Sequence, residues 1–582
     1  MRCFLAESAF LSGLLPMMPS RRILVIGYQI IAATIIETTM QIPLAKTIFG
    51  LSDKKALNRL FVIYLFLYAF GSIVSNIFVG FQQTHNDFWD TYFVARHMTW
   101  ADEKTWFSPQ YPIANCLFCK LITGTAPPEI PGILANLFFG TAILVVSMLL
   151  YRKILEGRVA LYAIVALSLF PRLFHYVNLA GGDPASIAFF SLGVLLIAGQ
   201  LFKSDEKSWG IFLLGGIFLG CGGIFRYHAL VASIFFLVAS AIVCRHDLKF
   251  IVPAFIGLWI GYCPQFVVNL ITNHWLFETQ FGMMNVYDLM YSMPWYHTLT
   301  VHFPPSILSL IMHDPMLFTR NYVAALILFA PAYFPAILAF LIVKDCKKRK
   351  VCKMVMLWSL AYCGFFSTTT SGRALLLPLP LSFLCVGLFT EAVFESLKKM
   401  RDRKKPAAVA YRFFTAFAVT LLPLVFLGKD VAFNCMRLSE YKTRGGVESY
   451  LKNHGCKKVQ EIFSTDFSIY FRSMPPYYPY FNGGAPRLGA YHFNEEYPEF
   501  PVDSLKEFSS ECKKRGIRFV VLTEGCRLLS PAMGDLYNGV VGHDDIKFMK
   551  KINQFKIFEV QTQSLPVCST LKQEDNYEST FP

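Results

Sequence analysis

The chain has 582 residues, 54% of them apolar and only 16% charged, and several of its apolar runs reach the roughly 20 helical residues that cross a hydrocarbon layer. Its net charge of +15 does not mark a nucleic-acid binder: residues 431–582 hold 19 Lys/Arg against 18 Asp/Glu, so the excess, 35 against 21, lies among the apolar segments. This is the composition of a polytopic membrane protein, and no P-loop, GxSxG or HExxH pattern of a soluble enzyme occurs in it.

Residues 1–50 include "ILVIGYQIIAATIIETTMQIPLAKTIFG", which fits a signal peptide, an upstream start with true initiation at Met40, or a spanning hairpin. Spans are then expected near 60–80, 131–151, 159–179, 184–202, 210–225, 229–244, 251–271, 321–343, 354–370, 374–394 and 413–429. The first, Leu60 to Gly80, carries no charge at all. Connections alternate between short basic and long neutral: 51–59, 152–158, 203–209, 245–249, 344–353 and 395–412 carry 23 Lys/Arg, whereas 81–130, 178–183, 226–228, 273–320 and 371–373 carry 6. Lys and Arg resist translocation, so the basic loops are cytoplasmic and the neutral ones face outward. The expected organisation is an N-terminal apolar segment (1–50), a transmembrane domain (51–430) with outer loops 81–130 and 273–320, and an outer domain (431–582).

The outer loops gather the ionisable residues that a membrane edge does not tolerate without reason. Asp87 and Asp90 stand three apart in "NDFWDTYFVARHM", beside Tyr92 and Arg96. A carboxylate there is placed to accept the proton of an attacking hydroxyl; equally, Asn86 or Asp87 is placed to cap an interfacial helix flanked by belt aromatics. Asp183 before Pro184 reads as a helix start, and Glu278, Asp288 and Asp314 are further acidic candidates next to the membrane. Arg373 and Arg226 are lone guanidiniums in short outer loops, each needing an anion, either a lipid headgroup or a substrate phosphate. His228 reads as a polar partner at a span end. Cys116-x-x-Cys119 has no second pair or nearby His and reads as one face of a loop helix.

From residue 446 the pattern changes. "GVESYLKNHG" is a short helix, "KKVQEIFST" a strand, "VDSLKEFSSECKKRG" an amphipathic helix ending at Gly516, and "IRFVVLT" and "FKIFEVQ" are strands. This alternation predicts a compact α/β module of near-neutral charge. Cys435, Cys456, Cys512, Cys526 and Cys568 form an odd set in which one disulfide has room to form. The Tyr-, Pro- and Gly-dense stretch between its halves, 473–500, reads as a solvated loop or as a cover over a membrane-surface cleft.

Asp87, Tyr92, Ala95 and Arg96, followed by "SPQYPIANCLFCKL", the Asp183-Pro184 span start, "YCPQFVVNLITNHWLFETQFG" with Gln265 and Asn269, and "SGRALLLPLPLSF" after Arg373 occur in an order that resembles the GT-C superfamily of integral-membrane glycosyltransferases. The similar branch is the bacterial one of protein mannosyltransferases and aminoarabinose transferases. The resemblance covers roughly residues 60–570 and implies transfer of a sugar from a polyprenyl-phosphate donor to a hydroxyl on a glycan, lipid or protein, with inversion, at the outer face of a bacterial inner membrane; the C-terminal domain would lie in the periplasm. It implies Asp87, Asp90 and Asp183 as the catalytic acids, Arg373 and Arg226 as donor-phosphate ligands, and Tyr92, Arg96, His228, Gln265 and Asn269 as substrate-lining residues. The sequence departs from the family where Phe88 follows the first acid and the second carboxylate is Asp90, which leaves open whether one acid or two act and whether a divalent metal is held. A transporter or flippase of lipid-linked glycans is the alternative, although such proteins show paired repeats and mid-membrane charges.

Overall fold

The computed structural model describes residues 53–78, 113–122, 129–202, 207–271, 311–312, 314–368, 373–401, short pieces between 425 and 439, 442–456, 461–464, 501, 504–524, 526 and 530–561. The chain divides into two compact units, Met1–Ser439 and Glu440–Pro582.

In the first unit the helices run α1 (Asp53–Phe78), α2 (Ile113–Leu121), α3 (Glu129–Tyr151), α4 (Gly157–Ser168), α5 (Pro171–Val177), α6 (Asp183–Leu201), α7 (Trp209–Phe225), α8 (Tyr227–Val243), α9 (Leu248–Ile271), α10 (Pro315–Leu328), α11 (Ala330–Ile342), α12 (Cys346–Phe366) and α13 (Leu379–Arg401). Five of these segments are long and apolar enough to cross a membrane alone, and two bent pairs, α4 with α5 and α10 with α11, bring the number to seven. The chain is a polytopic helical membrane protein. Helices lie at the expected spans as far as residue 394, but α7, α8 and α12, at the expected spans 210–225, 229–244 and 354–370, are not among the segments long and apolar enough to cross alone; the expected span 413–429 falls almost wholly outside the described residues.

The stretches 159–179 and 321–343, read from hydropathy as single spans, are each bent by 65°. Proline is the physical cause in both. Phe170, immediately before Pro171, is pushed to extended backbone (φ −65, ψ 119), as the pyrrolidine ring demands of its predecessor. Pro331 stands at the start of α11, where it offers no N–H and crowds the preceding turn.

Glycine lets α7 and α9 approach backbone to backbone. A Cβ at Gly216 of α7 would overlap the Ala254 carbonyl oxygen, and one at Gly257 of α9 would overlap the Leu213 carbonyl oxygen. Helices in lipid gain little from burying apolar side chains against one another, so close backbone approach of this kind carries their association.

The second unit is a four-stranded sheet, β1 (Ile462–Ser464), β2 (Phe519–Leu522), β3 (Ile546–Ile552) and β4 (Phe555–Val560), in the order β1-β2-β4-β3. β1 pairs parallel with β2; β4 runs antiparallel to both β2 and β3. Alternate residues feed two cores. Phe463, Val520, Leu522, Phe558 and Val560 pack with helices α14 (Leu505–Lys514) and α15 (Pro531–Asn538) through Phe508, Cys512, Met533 and Leu536. Ile462, Phe519, Val521, Phe555 and Ile557 pack with Val447 and Leu451 of a helix over 442–453. Gly516, at φ +71, stops α14 as the sequence predicts. Strand β3 was not foreseen: it is an edge strand whose three lysines hide its apolar alternation. Cys456, Cys512 and Cys526 are free thiols.

Candidate functional site

Three turns place charged side chains at the ends of the membrane helices. The first is the turn between α5 and α6. Asp183 is the first residue of α6, with Gly182 as the N-cap and Pro184 following. The Asp-Pro pair thus lies one residue inside the helix start, not at the cap position expected of Asp183. Its Oδ2 accepts from Arg226 Nη2 at 2.9 Å, and the two side chains are only 6% and 11% exposed.

The second turn consists of Arg226 alone. α7 ends at Phe225, α8 begins at Tyr227, and Arg226 is extended between them (φ −153, ψ 126). A one-residue corner sets its guanidinium at the tip of the helix pair. Charges at such depth are costly unless paired, and the positive end of the α6 dipole adds to the stabilisation of Asp183.

The third turn carries Arg373, which opens the short 3-10 stretch Ala374–Leu376 ahead of α13. The Arg373 guanidinium donates to the Tyr176 hydroxyl, and Tyr176 also lies within electrostatic reach of Asp183 and Arg226. The peptide after Arg373 is fixed from α12: Tyr362 Oη donates to the Ala374 carbonyl at 2.8 Å, and Tyr362 interacts with Asp183 as well. One turn earlier in α12, Trp358 Nε1 donates to Ala232 O at 2.8 Å, tying this helix to α8. His228, in the first turn of α8, meets the Phe366 ring edge-on at 4.9 Å.

Asp183, Arg226 and Arg373, singled out by position in the sequence, thus belong to one constellation at the helix ends, with Tyr176 and Tyr362 between them. The two tyrosines carried no signal of their own, because tyrosine at a span end is ordinarily a belt residue. Gln265 and Asn269 are fully buried in α9. Gln265 Nε2 donates to Asn269 Oδ1 at 3.1 Å, and its Oε1 accepts from the Ile113 N–H at 2.9 Å, satisfying the first donor of α2. Asp87, Asp90, Tyr92 and Arg96 lie outside the described residues. Among the described residues no group of three or more His, Cys, Asp or Glu side chains that could hold a metal ion forms.

No protein-family model and no curated protein matches the sequence. Solved structures do. The aminoarabinose transferase ArnT from Cupriavidus metallidurans in its apo state superposes with a TM-score of 0.52 at 12% identity, covering 87% of this chain and 98% of that one. The architecture is the GT-C fold. Weaker likenesses are ArnT from the same organism bound to undecaprenyl phosphate (TM-score 0.47, 11% identity, 86% and 97% covered) and the archaeal oligosaccharyltransferase AglB from Archaeoglobus fulgidus in complex with an inhibitory peptide and a dolichol-phosphate (0.46, 12%, 87% and 75%). Within this GT-C fold the Asp183, Arg226 and Arg373 constellation is assembled from the turns before α6, after α7 and before α13.

Proposed function

We propose that the protein is a membrane glycosyltransferase that moves a sugar from a polyprenyl-phosphate donor to a hydroxyl acceptor at the outer face, with inversion at the anomeric carbon. The observation that carries this reading is the gathering of Asp183, Arg226, Arg373 and Tyr176 at the outer helix ends of a GT-C fold. In the proposed reaction Asp87 takes the proton of the acceptor hydroxyl, whose oxygen attacks the anomeric carbon. The bond from that carbon to the phosphate oxygen breaks, and the electron pair leaves with the lipid phosphate. Arg373 meets the charge that develops there, since a planar fork of donors aimed at a leaving phosphate is worth most in the transition state. Asp183 holds Arg226 and orients the acid side of the site; Asp90 assists Asp87. A monophosphate leaving group of this kind is matched by arginine without a cation. The basic asymmetry of the loops supports an outward-facing C-terminal α/β unit, and the likeness to a bacterial aminoarabinose transferase supports a bacterial inner membrane with that unit in the periplasm.

The test is turnover by purified protein with a polyprenyl-phosphate sugar. Asp87→Asn is nearly isosteric but cannot take a proton, so turnover falls on the order of 10²-fold or more while thermal stability holds. Full activity in this variant rejects the mechanism. Donor lipid moved across the bilayer with no sugar transferred would favour the flippase alternative.

A further inference from the structure

Residues 178–182 join α5 to α6 without helical structure of their own, yet Asn178 and Ala180 are fully buried and Leu179 nearly so. Buried non-helical backbone needs hydrogen-bond partners, and in a membrane protein water does not supply them. Here backbone bonds supply part of them, Asn178 N–H to the Phe174 and His175 carbonyls and Leu179 N–H to Tyr176 O, and three carboxamides brace the segment. Asn178 Nδ2 donates back to Phe174 O at 2.8 Å, closing the end of α5. Its Oδ1 accepts from Asn76 Nδ2 at 2.7 Å, and Asn76 is seated in the last turn of α1, where it also donates to Ser72 O at 2.9 Å. From α3, Asn136 Nδ2 donates to the Leu179 carbonyl. Asn76 and Asn178 are 0% exposed and Asn136 3%. Carboxamides are costly to bury, and leucine would fill the same volume without that cost. The span of chain they fix runs from Tyr176, which bonds Arg373, to Asp183, which bonds Arg226.

We propose that Asn178, anchored by Asn76 of α1 and seconded by Asn136 of α3, is a positioning residue: it sets where Asp183 stands relative to Arg226, and so acts on transfer through Asp183. This deepens the transferase reading and rests on it. The brace makes no contact with donor or acceptor. It fixes the spacing of the acid and phosphate sides of the site, and misplacement of a reacting group by about 1 Å costs on the order of 10²-fold in rate.

The experiment uses full-length protein in lipid nanodiscs, with Asn178→Leu alone, Asp183→Asn alone and the two combined. Asn178→Leu lowers turnover about 10- to 10²-fold with donor affinity unchanged, and adds little to the loss already caused by Asp183→Asn, because it acts through that carboxylate. Multiplicative losses in the double variant, or full turnover in Asn178→Leu, overturn the proposal. Tyr64→Phe removes a second polar contact, from α1 to Ser168 of α4, and leaves turnover unchanged; an equal loss there would assign the effect to general loosening of α1 and overturn the proposal too. Hydrogen exchange reads the brace without turnover. Exchange of the 178–182 amides rises in Asn178→Leu while that of α6 does not, and unchanged exchange at 178–182 overturns the brace. Wild-type protein that transfers no sugar from any polyprenyl-phosphate donor sinks the transferase reading, and the exchange result still decides the brace.

Discussion

The two units use charge in opposite ways. In the C-terminal unit the ion pairs lie at the surface: Lys513 and Asp545 meet at 2.6 Å with side chains 29% and 34% exposed, and Glu511 holds Arg515 from one turn away along α14. In the membrane unit the Asp183–Arg226 pair joins two turns 43 residues apart and is almost wholly enclosed. An exposed pair trades bonds to water for bonds to protein at little net gain, so its presence says little about purpose. An enclosed pair at a membrane edge has paid for desolvation, and the surrounding structure is shaped to hold it.

The largest expected effect comes from breaking that enclosed pair. Asp183→Ala removes the carboxylate that the buried Arg226 guanidinium bonds, at a cost of about 3–5 kcal/mol; thermal unfolding should shift down markedly and turnover should be lost, whereas the same change at Asp545 should barely move either. Equal effects at the two positions would dissolve the contrast. Next comes Arg373. Arg373→Lys keeps the charge but loses the planar fork, so donor-lipid affinity should weaken roughly tenfold, about 1.4 kcal/mol, and Arg373→Ala should weaken it further, measured by titration with the polyprenyl-phosphate lipid. Unchanged affinity in both variants would return Arg373 to the role of a headgroup anchor.

Smaller again is Tyr176→Phe, which keeps the ring and removes the acceptor that Arg373 uses. Loss of one hydrogen bond to a charged group predicts a donor affinity reduced several-fold, about 1 to 2 kcal/mol, with helix content intact by circular dichroism. The smallest effect belongs to the exposed cluster of the C-terminal unit. The Lys513 hydrogen bond first, then Ser509 and the neighbouring charges of Lys513 and His543, hold the Asp545 carboxyl below its usual range. A carboxyl whose folded pKa is lowered contributes stability above its unfolded value near 3.9 and loses it as pH falls through the folded pKa. Asp545→Asn should therefore be slightly less stable than wild type at pH 6, and the two unfolding midpoints should converge as the pH drops toward 2. A gap that widens in acid would contradict the sign.

Much of the membrane unit was legible because an uncharged apolar run of about 20 residues has few other uses. The breaks within it were not. Pro171 and Pro331 interrupt their spans, but Pro253 and Pro264 lie inside the unbroken α9, and Pro335 inside α11. Proline removes one hydrogen bond and adds one clash wherever it occurs; whether the helix then stops depends on what packs around it, which a single sequence does not state. The same limit applies at the site. Asp183, Arg226 and Arg373 were each conspicuous as charges at span ends, but that the first two bond to each other follows only from the packing that brings α6 beside α7. Asn76, Asn136 and Asn178 gave no signal because lone carboxamides near span ends are common. In the C-terminal unit, β3 was missed because an edge strand advertises its lysines rather than its core residues, and its turn places Asn553 at φ 51 without the Asn-Gly pair that would mark a hairpin.

The pairing of α4 with α13 has a consequence for how the chain is made. Tyr151 at the end of α3 donates to the Pro380 carbonyl, 229 residues later; Phe170 meets Phe383 edge-on at 5.7 Å, and Gly387 of α13 receives Leu155 and Ala163. α4 is only 12 residues long and buried along most of its length, so it has neither the length nor the lipid-facing surface to rest in a bilayer alone. During synthesis its partner does not yet exist when it leaves the ribosome. At about 5–20 residues per second, tens of seconds at the slow end separate the two, and over that interval the nascent chain needs the insertion machinery, or a passing lipid, to shield α4. A chain truncated before Leu379 would remain in that waiting state, and quality-control proteases would meet it there.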